Sequence, residues 1–374
     1  MSRRLILSHT LFAALLLLGA CSPEAATPAP TAPPAASPTA TVGKLPTAPA
    51  ITTAPPTTTP ELTNPPNPSP IPASAPSITL TFLTPKPKAA NDPQMEGYTF
   101  KPPPQFAAIV QIEAAALPAA PANRNYLAWL IAEDDTMQLL GVLEPNPQGS
   151  ARLLWEAPNG ENLLTRYVGA RVTLEDTRSA QAPGGTILYE SRLNPATLAA
   201  VRRLFVSNIG DPITPRNTSF MLGLYQQTDL ALQHVQNAVN AAAIGAVGET
   251  RTHLEHVINI LEGVQGARYG DYTGDGVAQN PGDGFGVSGY AEQTIQLLQQ
   301  LGYPTNDAAL VANLQTLEDL CVEILRIDTG DLRAIQDRLK TLRTESLTFQ
   351  NSTIANIESA AYELIRIPLE EVNP

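Results

Sequence analysis

Few of the residue types that usually carry chemistry are present in this chain. Its 374 residues include two cysteines, two tryptophans and four histidines, with charged residues at 16%. Two cysteines exclude a scaffold stapled by several disulfides. Lys and Arg number 23 against 35 Asp and Glu, and they form no basic stripe. That excludes nucleic acid as a partner, because phosphate contacts need clustered cations. No G-x-S-x-G, H-E-x-x-H or P-loop sequence occurs, so the common nucleophile, zinc-peptidase and nucleotide-binding signatures are missing. Beyond the N-terminus no run approaches the roughly 20 apolar residues of a membrane-spanning helix.

What is present divides into blocks. The chain opens MSRRLILSHTLFAALLLLGACS, with Arg3 and Arg4 ahead of an apolar run, Leu11 to Leu18, and then Gly19-Ala20-Cys21. A charged start, a short apolar core and a small-residue cleavage site describe a signal peptide over 1–20. The ending in cysteine resembles the lipobox of bacterial lipoproteins. The resemblance implies that Cys21 becomes the lipidated N-terminus and that the chain is extracytoplasmic, anchored to a bacterial membrane at the cell surface or in the periplasm. Cys321, on an apolar helix face with Leu314, Leu317 and Leu325, then reads as a buried structural thiol. Residues 21–95 are rich in Pro, Thr and Ala and poor in charge, too polar and too proline-rich to bury a core, and read as a disordered tether.

From 104 to 193 the apolar residues recur with period two in short runs such as Phe106 to Ile112, Tyr126 to Ala132 and Met137 to Leu143. Turn signals such as EPNPQG and EAPNG separate them. The spacing predicts a small antiparallel β-sandwich of immunoglobulin-like proportions. Tyr126, Trp129 and Leu130, Gly141 and Leu143, Thr173 and Glu175, and the turn Pro183-Gly184-Gly185 are similar to the extracytoplasmic domain of anti-sigma-K-type factors. That resemblance implies the sandwich fold alone, since the sigma-binding and spanning helices of that family have no counterpart. Residues 194–217, broken by DPITPRN, read as a connector. From 218 to 368 the period changes to three and four, through Leu224, Ala231 and Val235, then Leu254, Val257 and Leu261, and on to Ile354 and Leu364. Short links between such helices predict an all-α bundle, the last helix stopped by Pro368. The expected fold is thus two domains, a sandwich followed by a bundle.

Metal-capable residues concentrate in one place. Outside the signal peptide the only histidines are His234, His253 and His256, on two successive helices. His253 and His256 stand three apart, close enough to reach one ion together, and His234 lies on the preceding antiparallel helix. Imidazoles in this setting suit Zn²⁺, Cu or Fe, with Glu249, Glu255 or Asn259 as a fourth ligand or an outer hydrogen-bond partner; the other reading is three histidines hydrogen-bonded at the bundle edge. The following loop, DYTGDGVAQNPGDG, resembles the first two-thirds of EF-hand and dockerin calcium loops. The resemblance implies Ca²⁺ held by Asp271, Thr273 and Asp275, the Val277 carbonyl, Gln279 and, after the Pro281-Gly282 bend, Asp283 within 271–283. Gly282 stands where such loops carry a closing Glu, and the alternative is a Gly/Asp turn with solvated carboxylates. Taken together, these features lead us to expect a membrane-anchored lipoprotein acting as a calcium-stabilised binding or structural module, with a surface protein or glycan as partner. The alternative is a transition-metal protein or metalloenzyme built on the bundle histidines.

Overall fold

The computed structural model describes residues 75–84, 104–210 and 213–372. Cys21, the signal segment and most of the proline-rich stretch lie outside them. Among the described residues no helix is long and apolar enough to cross a membrane.

Seven strands precede the helices: β1 (Ser77–Leu83), β2 (Ile109–Ala115), β3 (Asn125–Ala132), β4 (Met137–Val142), β5 (Ala151–Glu156), β6 (Tyr167–Glu175) and β7 (Thr186–Arg192). An eighth, β8 (Arg366–Glu371), comes from the far end of the chain. All pair antiparallel in the order β4-β3-β6-β7-β8-β1-β2-β5. The two edge strands approach each other: a methyl group on Gly141 of β4 would lie 3.3 Å from the Leu153 side chain of β5. The immunoglobulin-like sandwich is therefore corrected to one nearly closed, barrel-like sheet.

Two strands outside the expected sandwich make the difference. β1 lies within the stretch read as tether, yet its sequence SITLTFL alternates strictly. Ile78, Leu80 and Phe82 are buried while Thr79 and Thr81 are half-buried, the period of a strand with one face on a core. β8 sets Leu80 beside Ile367 and Ile78 beside Leu369. Pro368, expected to stop a helix, sits inside this strand. Proline removes one ladder donor, and β8 tolerates the loss because β7 pairs with it only at Glu370 and Glu371. β8 joins the β5-β2-β1 and β4-β3-β6-β7 runs into one sheet.

The helices are α1 (Pro195–Phe205), α2 (Phe220–Ala243), α3 (Val247–Glu262), α4 (Gly286–Gln300), α5 (Asp307–Arg326), α6 (Leu332–Thr348) and α7 (Ala355–Glu363). A single π-helical turn, Phe349–Ile354, joins the last two. The apolar periodicity from 218 onward thus reports real helices, although the supposed connector holds α1. Asn194 caps α1 by accepting from the Thr197 N–H, and Pro195 fills the first turn. The helices do not form a separate domain. Residues 69–374 form one compact unit, and strands and helices share one apolar cluster. Phe205 of α1 links them, with its ring 5.6 Å from Phe106 and stacked at 5.4 Å on Tyr362. Cys321 is fully buried on α5, and burial pushes its thiol pKa upward, as expected of a structural cysteine.

α2 and α3 form an antiparallel hairpin turned at Gly245, whose φ of +77° favours glycine. Ala231, Val235 and Ala238 of α2, with Leu254, Val257 and Ile258 of α3, are buried in the shared core. The 23-residue excursion from Gly263 to Phe285 then returns the chain to α4.

Candidate metal centre

The α2–α3 hairpin brings the three histidines together at its half-buried margin. His234 Nδ1 lies 3.0 Å from His253 Nδ1 and 3.3 Å from His256 Nδ1. One ring nitrogen from each residue falls within 4.8 Å of the other two. Among the described residues this is the only such group of three His, Cys, Asp or Glu side chains. The 253/256 spacing works because positions three apart sit one above the other on a helix face, and the antiparallel partner supplies the third ring.

The loop fixes the orientation of His256. Gln279 donates its amide N–H to Asp275 Oδ2 at 2.9 Å, which turns its Oε1 toward His256 Nε2 at 3.1 Å. We assign the proton of a neutral His256 to Nε2 on this network, so its Nδ1 presents a lone pair to His234. His234 Nδ1 is thus crowded by two ring nitrogens and has at most one proton to share between them. Burial, and then the charges of His256 and His253, depress the His234 pKa to about 4, which leaves it uncharged at neutral pH. Burial also lowers that of His253, followed by His256, while Glu249 pulls the other way. Imidazoles whose nitrogens converge are ready ligands. Metal–nitrogen bonds of about 2.0–2.1 Å in a tetrahedral site place ligand nitrogens about 3.3 Å apart, close to the spacings here.

The loop is held by α3. Glu255, fully buried, accepts the Tyr272 and Thr273 N–H groups on Oε2 and the Gln279 N–H on Oε1, each at 2.8 Å. Asn259, also fully buried, exchanges hydrogen bonds with both backbone groups of Gly270 and donates to the Gln279 carbonyl. The sequence offers both residues as groups around the histidines, not as loop anchors; in the structure they bind the loop backbone. The one signal for anchoring is a Glu and an Asn beside the buried face of a helix otherwise rich in Leu, Val and Ile.

This arrangement does not support the calcium reading. Asp271 turns its carboxylate inward to the Gly274 and Gly276 N–H groups and the Thr273 hydroxyl; the two glycine bonds lead in holding its pKa below the usual value. Asp275 accepts from the Val277 N–H and from Gln279. Asp283 belongs to another cluster, accepting from the Phe285 N–H and the Tyr290 hydroxyl. Val277 is exposed, and Gln279 serves the histidine centre. Of the six residues expected around one ion, Asp283 thus bonds in a separate cluster, and among the described residues no group of three acidic side chains converges in this loop. Glu249, in the first turn of α3, stands outside the histidine group.

A cleft of about 900 Å³ opens at the two ends of the same loop, lined among others by Val264, Phe285, Leu314, Glu262 and Glu318. Glu318 is buried, and burial followed by the facing Glu262 raises its carboxyl pKa to about 8, against the pull of Arg268 3.3 Å away. The histidine centre is the better candidate because it offers converging donor atoms rather than volume. No known family, curated protein or solved structure matches this chain.

Proposed function

We propose that this protein is a transition-metal-binding lipoprotein of the bacterial envelope whose ion sits between His234, His253 and His256. The reading rests on one observation, the convergence of three imidazoles at spacings of 3.0 and 3.3 Å. Nitrogen donors suit Zn²⁺, Cu²⁺ or Fe²⁺ and disfavour Ca²⁺, which selects oxygen. The Asp275–Gln279–His256 chain supplies the outer hydrogen bonds that orient a metal-binding imidazole. Envelope location and the membrane anchor come from the Leu18–Cys21 sequence, which is similar to the lipobox.

The test is metal analysis and calorimetric titration of the full chain with Zn²⁺, Cu²⁺ and Ca²⁺, beside His234→Ala and His256→Ala. One equivalent of a transition ion, lost in both variants, supports the reading. Binding of Ca²⁺ alone, or transition-metal binding unchanged by both substitutions, would falsify it.

A further inference from the structure

The histidine centre holds three donors, and the surrounding residues show what completes it. The carboxylates of Glu255, on α3, and Asp275, in the loop, are engaged elsewhere. Both oxygens of Glu255 are taken by three backbone N–H groups of the loop. Asp275 spends one oxygen on the Val277 N–H and the other on Gln279. Gln279 presents its own oxygen to His256 Nε2, on the opposite edge of that ring from the Nδ1 that faces His234. Neither Glu249 nor Cys321 joins the histidines, whose group contains no acidic oxygen and no thiol. All three rings are half-buried, so the centre borders solvent.

Three uncharged donors leave a divalent ion with its full positive charge. A four-coordinate ion then keeps one position that no protein atom fills, the pattern of sites that bind an exchangeable ligand rather than of closed structural sites. An uncompensated charge beside solvent selects negative ligands, and one vacant position selects small ones. We infer that the metal-loaded centre takes a small monodentate anion, hydroxide from water included, as its fourth ligand. This rests on the metal reading above and extends it from a storage or structural ion to an ion with an open face.

Cobalt(II) reports both steps separately, because its visible absorption depends on the number and type of its ligands. The full chain is loaded with one equivalent of Co²⁺ and titrated with azide, then with bicarbonate. The expected result is a tetrahedral-type spectrum on loading, followed by a saturable spectral change with one anion per cobalt. No cobalt spectrum would overturn the metal reading and this inference with it. A cobalt spectrum that stays unchanged through excess azide would overturn the open position alone and identify a closed site. A change that needs two histidines rather than three, persisting in His253→Ala with the wild-type midpoint, would likewise overturn the three-nitrogen assignment.

Discussion

The conversion of Glu255 to Gln tests how the loop is held, because it keeps the size of the side chain and changes only its donors and acceptors. The carboxylate accepts three backbone N–H groups, two on Oε2 and one on Oε1, each at 2.8 Å. An amide has a single oxygen. Placed toward Tyr272 and Thr273 it keeps two bonds, and its NH₂ group then meets the Gln279 N–H donor to donor. Losing one charge-assisted bond costs about 1.5–3 kcal/mol, and weakening two others to neutral strength adds about 1–2 kcal/mol. The sum is about 2.5–5 kcal/mol. An unfolding entropy of about 2.1 cal/mol/K per residue over residues 69–374 converts this to a fall in Tm of about 4–8 °C. The damage centres on Gln279, the partner of His256, so affinity for a transition ion should also fall about 10–100-fold, the usual effect of disturbing an outer hydrogen bond. Thermal unfolding by circular dichroism, with and without chelator, and calorimetric metal titration measure both. A Tm within about 1 °C of wild type would refute the three-bond anchor, since even the single lost bond implies a larger fall.

Two further outcomes follow from the same structure. Glu318 has its folded-state pKa raised from 4.5 to about 8, so its contribution is fully present below pH 4.5 and is lost as pH rises through about 8. Glu318→Gln should therefore gain stability relative to wild type as pH rises across that window; parallel Tm profiles for the two proteins would exclude a buried, protonated carboxyl. Leu80 is fully buried in β1, so Leu80→Ala should cost about 2–5 kcal/mol. A neutral result in urea unfolding would mean that 77–83 does not belong to the folded unit.

Local signals were readable where each element's own residues set its environment. The apolar spacing of α2, α3 and α5 survives in the structure because each helix turns one continuous face to the core. The histidines were readable as a group because spacing on one helix and adjacency of two are both properties of sequence. Sheet closure was not, because it depends on a pairing between Ser77–Leu83 and Arg366–Glu371, nearly 300 residues apart. Alternation in SITLTFL was present but lay in a proline-rich neighbourhood, and Pro368 argued for a stop where the sheet accepts it. In the loop, the Asp and Gly spacing was read as an ion cage; what the structure adds is that buried Glu255 and Asn259 anchor the loop to α3. That anchoring is invisible in the loop's own residues.

The same anchoring bears on what metal removal does. In small zinc domains the ion itself holds the ligand-bearing segments together, so the apo chain unfolds. Here the two helices carrying the histidines bury Ala231, Val235, Ala238, Leu254, Val257 and Ile258 in the common core, and the loop hangs on α3 through Glu255 and Asn259. None of these contacts needs an ion. Chelation should therefore leave the far-ultraviolet dichroism unchanged and lower stability only through mass action, about 2.7 kcal/mol when the free ion stands at 100 times Kd. For residues 69–374 that amounts to about 4 °C in Tm. A chain that lost its helical signal on chelation would show that the ion, not the buried carboxylate and amide, organises the hairpin and its loop.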